Sequence, residues 1–131
     1  MRKTAKEIEI DVFHIFNEEM TGFIGGKVYR KGNRPKDAKT EDAVVAFSEG
    51  YEAQAQTGEV YLHVYVPYRN GVHNSPRIGE IEKKIIQVRD GSLAANAEYL
   101  FDMRKTPNDI ELDDIEQSLI SAIIKYKRYT F

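Results

Sequence analysis

The sequence predicts an α+β fold, a mixed or mostly antiparallel sheet with two helices packed on it. Three observations carry this. Residues 4–20 place apolar side chains at helical spacing. Residues 59–66 alternate strictly between two faces. From Ser75 the spacing returns to that of a helix. A sheet with one apolar face and two amphipathic helices buries all three by laying the helices on that face.

The first helix is "TAKEIEIDVFHIFNEEM", with Ile8, Val12, Ile15, Phe16 and Met20 on one stripe. Thr4 and Glu7 have capping-box spacing, which sets its start. Gly22, Gly25 and Gly26 end it. "KVYRK" (27–31) and "DAVVAFS" (42–48) read as strands. In "EVYLHVYV" (59–66), Val60, Leu62, Val64 and Val66 face one way, and Glu59, Tyr61, His63 and Tyr65 face the other. Residues 49–56 continue into the hairpin before that strand. Asn70-Gly71 marks a turn in the loop that follows. The second helix opens with Ser75 as N-cap and Pro76 at its first position. Ile78, Ile81, Ile85 and Val88 form its buried stripe, and Asp90-Gly91 is read as its end. Residues 97–104 alternate Tyr99, Phe101 and Met103 as a strand, and 105–114 read as an acidic connection.

The run 115–131 satisfies two periods. Ile115, Leu119, Ala122, Ile123 and Tyr126 fit a helix capped by Asp114, while "IIKYKRYTF" alternates as a strand does. Periodicity alone leaves both open.

A chain of 131 residues fits a single domain, 1–131, able to bury a core without staples. It has no cysteine, which excludes disulfides and thiolate chemistry. A formal charge of −2 argues against general nucleic-acid affinity, which rests on a basic face. No apolar run approaches the ~20 residues of a membrane span. Charges stand where a signal peptide would have its apolar core, so a cytoplasmic location is expected.

Motif chemistry is sparse. His14, His63 and His73 fall on three separate elements without metal-ligand spacing. "TGFIGGKV" lacks both the spacing and the strand-to-helix order of a phosphate loop. The adjacent carboxylates Glu18-Glu19, Glu41-Asp42 and Asp113-Asp114 lie in polar segments, and no serine sits in a nucleophile elbow. No enzyme activity, cofactor or metal is expected. Two rival functions remain. Tyr61, His63 and Tyr65, with Lys125, Lys127 and Arg128, suit a small nucleic-acid-binding module with an aromatic sheet face. A small-molecule-binding α+β domain would need a pocket that nothing in the sequence locates.

The stretch "YRKGNRPKDAKTEDAVV" (29–45) is long for a hairpin turn and densely charged. Arg30, Lys31, Arg34, Lys36 and Lys39 are followed by Glu41 and Asp42. It is expected to project from about 30–42 as a charged hairpin or loop, and its segregated charge suits a contact between successive copies in a ring.

The pattern "GKVYRKGNRPKDAKTEDAVVAF…GEVYLHVYVP" resembles small tail-completion proteins (tail terminator or neck-type) of long-tailed phages and prophages. The resemblance spans nearly the whole chain, and its motifs, Arg34-Pro35 and Glu41-Asp42, are short. It implies the order α-β-β-β-α-β-β, and hence a strand for the C-terminal run. It also implies a non-enzymatic structural protein that stops tail growth or joins head to tail as a homo-oligomeric ring, such as a hexamer. The expected partners are then further copies and other tail or neck proteins, without membrane or nucleic acid, in the host cytoplasm and then the virion. Arg30, Lys31, Arg34, Lys36, Lys39, Glu41 and Asp42 would form the contacting arm, with Tyr61, His63 and Tyr65 a second candidate surface.

Overall fold

Strand β3 (Ala55–Pro67) carries the strict alternation seen in the sequence, and the sheet is built around it. The computed structural model describes residues 1–129. In chain order the other elements are α1 (Ala5–Met20), β1 (Val28–Arg30), β2 (Asp42–Tyr51), α2 (Ser75–Val88), β4 (Leu100–Asp102), β5 (Asn108–Leu112) and β6 (Gln117–Tyr129). The sheet is six-stranded, in the order β1-β2-β3-β6-β4, with β5 also paired to β6. β1 runs parallel to β2, and the other pairings are antiparallel.

The C-terminal run is therefore a strand as far as Tyr129; Thr130 and Phe131 lie outside the described residues. It pairs with β3 from Pro67↔Gln117 to Ala55↔Tyr129. Isoleucine is stiff at χ1 and packs well on a pleated surface. The alternation then separates two sets of side chains. Ile120, Ala122, Ile124 and Tyr126 join Val60, Leu62, Val64 and Val66 on the buried face. Leu119, Ser121 and Ile123 go to the opposite face, where they are half-buried. The helical stripe Ile115–Leu119–Ala122–Ile123–Tyr126 mixes residues from both faces, so it does not exist in the folded chain.

Both helices cover the same face. Ile8, Val12, Phe16 and Met20 of α1 and Ile78, Ile81, Ile85 and Val88 of α2 are buried in one cluster with that strand face. Each fully buried aliphatic side chain contributes about 1.5–3 kcal/mol. The Thr4–Glu7 capping box forms as predicted, with Thr4 N–H donating to Glu7 and Glu7 N–H to Thr4.

Four sequence expectations need correction. The N-cap of α2 is Asn74, one residue before Ser75; its side-chain oxygen accepts from the Arg77 amide. Asp90-Gly91 does not stop the helix, because the backbone continues as a π-helical turn, Arg89–Leu93. There Ser92 reaches back to Glu19 of α1 at 2.6 Å. The strand expected at 97–104 narrows to Leu100–Asp102, although Tyr99 and Met103 are buried as its pattern implied. The acidic connection contains β5, whose Ile110 and Leu112 alternate with acids too weakly to read as a core strand. β5 exists because β6 offers residues 117–121 as a template.

One buried acid ties α1 to the sheet. The register of β2 against β3 shifts between Phe47 and Glu49. At this irregularity the Phe47 amide donates to Glu9 Oε2 at 3.0 Å. Glu9, 1% exposed, also accepts from Arg30 Nε at 3.2 Å. A buried amide with no partner would cost about 1–3 kcal/mol, so this carboxylate stands in for a ladder bond.

Candidate assembly surface

The charged stretch after β1 folds back onto the sheet through Arg34. Its Nε donates to Asp42 Oδ2 at 3.0 Å. Its Nη2 donates to Thr40 O at 3.1 Å, Ala38 O at 3.3 Å and Gln117 Oε1 at 3.1 Å. Its guanidinium lies 3.9 Å from the centre of the Tyr65 ring. Gln117 closes the loop from the other side, donating to Ala38 O at 2.8 Å. A planar guanidinium suits this site because it stacks and bonds in its own plane at once.

Asp42 is wholly buried. It also accepts from the Lys27 amide at 2.8 Å and the Thr40 hydroxyl at 2.6 Å. Gly26 is needed beside it, because a Cβ there would meet the Asp42 carboxylate and the Glu41 carbonyl. Glu41 faces α2, where Arg77 grips it through two nitrogens at 2.8 and 2.9 Å. The same Arg77 donates to Phe23 O and lies over the Phe23 ring. Paired geometry of this kind raises the Arg77 pKa, chiefly through the Glu41 hydrogen bond.

The seven residues expected on an arm thus divide. Lys31, Lys36 and Lys39 are exposed. Arg34 and Asp42 belong to a buried clasp, Glu41 to a clamp on α2, and Arg30 to the Glu9 pair. The clasp is not visible in the sequence because the Arg34 partners at 65 and 117 are remote in the chain. The short spacing Arg34…Thr40…Asp42 was its one local trace.

Tyr61, His63 and Tyr65 do share the sheet face away from the helices. Tyr61 and His63 stack with centroids 5.8 Å apart. Each is half-buried, and burial lowers the His63 pKa. Val44, Ala46, Leu119 and Ile123 lie beside them in neighbouring strands. Tyr65 is stacked against the Arg34 guanidinium.

The loop, the Asn70-Gly71 turn and the 113–116 turn converge at one end of the sheet. A cleft of about 510 Å³ opens there, lined among others by Lys36, Lys39, Tyr68, Ile115 and Glu116. Asn70 and Gly71 adopt φ of 54° and 76°, the left-handed pair that such a tight turn requires. The Tyr68 hydroxyl bonds to Asp113, which pushes its pKa up to about 12.

The opposite end is locked by a charge network that the sequence did not disclose. Lys3 Nζ lies 2.6 Å from Asp11 and 2.7 Å from Glu98. Arg128 bonds Glu98 at 2.7 Å and Met1 O at 2.6 Å. Tyr99 donates to Asp11 at 2.6 Å, and burial together with that bond drives its pKa up.

Among the described residues, no group of three His, Cys, Asp or Glu is placed to hold a metal ion, and no helix is long and apolar enough to cross a membrane. The class defined by this architecture is an α+β domain with a mixed sheet covered on one face. No family model and no curated protein matches the chain in sequence.

Proposed function

We propose that this chain is a non-enzymatic phage or prophage structural protein that completes tails or joins head to tail by ring-type self-association. The observation that supports the reading best is the element order. The predicted α-β-β-β-α-β-β skeleton is present, with β6 a strand and one added edge strand, β5. Fold alone does not define function, so two surface features count as well. One sheet face has no helix on it and carries Val44, Ala46, Tyr61, Leu119 and Ile123 half-exposed. Lys31, Lys36 and Lys39 are exposed on a loop that is anchored and therefore pre-shaped. A pre-ordered contact surface loses less entropy on association.

Light scattering behind size exclusion, over a wide concentration range, tests this. A discrete closed species is the expected result. A monomer at every concentration, with no species larger than one chain, refutes self-association of the free protein. The stacked Tyr61–His63 pair favours single-strand nucleic-acid binding as the second reading. That reading predicts affinity for an oligonucleotide that falls steeply as salt rises.

A further inference from the structure

We propose that one copy of this chain joins the next edge to edge, its β5 strand pairing antiparallel with the β1 strand of a second copy. The inference rests on the self-association reading and names the two surfaces that meet.

The sheet has two unlike edges. β1 ends the strand order on one side, and β5 with β4 lies along β6 on the other. On β1, Lys27 O accepts from the Ala43 amide and the Lys31 amide donates to Val45 O, both at 3.0 Å. Residues alternate along a strand, so Val28 and Arg30 turn their amides away from β2. No described strand pairs with that side of β1. The Arg30 carbonyl on that side already accepts from the Asn33 amide at 3.0 Å, so the template that β1 offers another strand is short and centred on Val28 and the Arg30 N–H.

The edges are oppositely charged. Lys27 and Lys31 flank β1 and are exposed, whereas Arg30 on β1 is already held by Glu9. Asp109 and Glu111 lie on β5, with Asp113 and Asp114 just beyond it. Like edges therefore repel and unlike edges attract, which favours a head-to-tail contact over a two-fold one.

The faces also match. Tyr29 pairs with Val44, which pairs with His63, so Tyr29 is on the helix-free face. Ile110 pairs with Leu119, which pairs with Tyr65, so Ile110 is on that face too. Ile110 is 56% exposed, a large apolar side chain left open on an edge strand. Centring β5 on β1 sets Ile110 against Tyr29, Asn108 against Lys31 and Asp109 against Arg30. Strand directions then agree with a rotation about an axis along the strands: β1, β2 and β6 run one way, and β3 and β5 the other. Repeating that operation continues the sheet around a ring and covers the β1 and β5 edges.

The absence of native cysteine makes the test clean. Tyr29→Cys and Ile110→Cys are made as separate proteins, one carrying a mass tag, then mixed and mildly oxidised. Within one chain the two positions are four strand spacings apart, roughly 19 Å, too far for an internal disulfide. The expected product is the mixed dimer, several-fold over either homodimer. The doubly substituted chain is expected to give a ladder ending at the ring size. Lys31→Cys with Asn108→Cys repeats the test at exposed positions, where folding is not at stake. Homodimers as the main product overturn the proposal in favour of a two-fold contact. No cross-link in either pair, while the unmodified protein still assembles in light scattering, overturns edge pairing alone. An unmodified protein that is monomeric at every concentration removes the self-association reading and this one with it.

Discussion

Replacing Arg34 with alanine removes the cation that pairs with the wholly buried Asp42 carboxylate. Asp42 is 0% exposed and the Arg34 side chain 10%. Removing one partner of a buried ion pair typically costs about 3–5 kcal/mol, mostly from the charge left behind. Asp42 keeps the Lys27 amide and the Thr40 hydroxyl, so the lower end of that range applies. At ~2.1 cal/mol/K per residue, a chain of this length unfolds with an entropy near 0.28 kcal/mol/K, so 3 kcal/mol lowers Tm by about 11 °C. Calorimetry measures the shift. Hydrogen exchange at Ala38, whose amide closes a turn onto Pro35, reports whether the loop opens with it. Arg34→Met combined with Asp42→Asn removes both charges and is expected to recover at least half of the loss. A drop below about 3 °C for the single variant, or an equal drop for the pair, would refute the clasp as the source of loop order.

Gly58→Ala is expected to destabilise by about 1–3 kcal/mol, as overpacking does, since its Cβ would meet Gly50 Cα and the Tyr126 hydroxyl at 2.7 Å; an unchanged urea midpoint contradicts this. Glu9→Ala strands the Phe47 amide and Arg30, and a loss of about 3 kcal/mol or more is expected by chemical denaturation. Stability is expected to fall at acid pH, with Glu98 and His63 among the groups responsible. The Glu98 pKa is depressed by its bonds to Lys3 and Arg128, so its contribution is full above 4.5 and is lost as pH falls through the lower folded value. Burial depresses the His63 pKa, so stability also declines as pH drops below 6.5 towards the folded value. Melting curves across acid pH check both, with Glu98→Gln and His63→Asn each flattening its own part of the profile. Burial opposes the Lys3 charge, but its bonds to Asp11 and Glu98 outweigh that and raise its pKa. Its contribution is thus full below 10.5 and lost as pH rises through the raised value.

The helices and the central strand were legible because each carries its own period. Ile8, Val12, Phe16 and Met20 need no knowledge of the sheet to fall on one stripe, nor do Ile78, Ile81, Ile85 and Val88. The Thr4–Glu7 cap and the Asn70-Gly71 turn were legible for the same reason, being settled within a few residues. β5 was not, since a short strand with alternating acids has no face to bury and exists only beside β6. Nor were the Arg34 and Glu9 sites. Charged side chains read as solvated unless a partner is known, and the side chains that hold Arg34 and the amide that holds Glu9 are remote: Gln117 is 83 residues from Arg34 and Phe47 is 38 from Glu9.

Local pattern determined two amphipathic helices, a turn, one strictly alternating strand and an apolar face for them to share. Tertiary contact decided three things. Pairing with β3 made the C-terminal run a strand, because thirteen residues on each side pair in continuous register, alternate ones exchanging ladder bonds, while keeping Ile120 and Ile124 inside. The Tyr65 ring and Gln117 decided that Arg34 turns inward, since only a pre-built sheet end offers a guanidinium both a stacking surface and acceptors. The sheet order decided that basic β1 and acidic β5 lie at opposite edges. Strand order is fixed by which long pairings bury the most apolar surface, and no single segment encodes that.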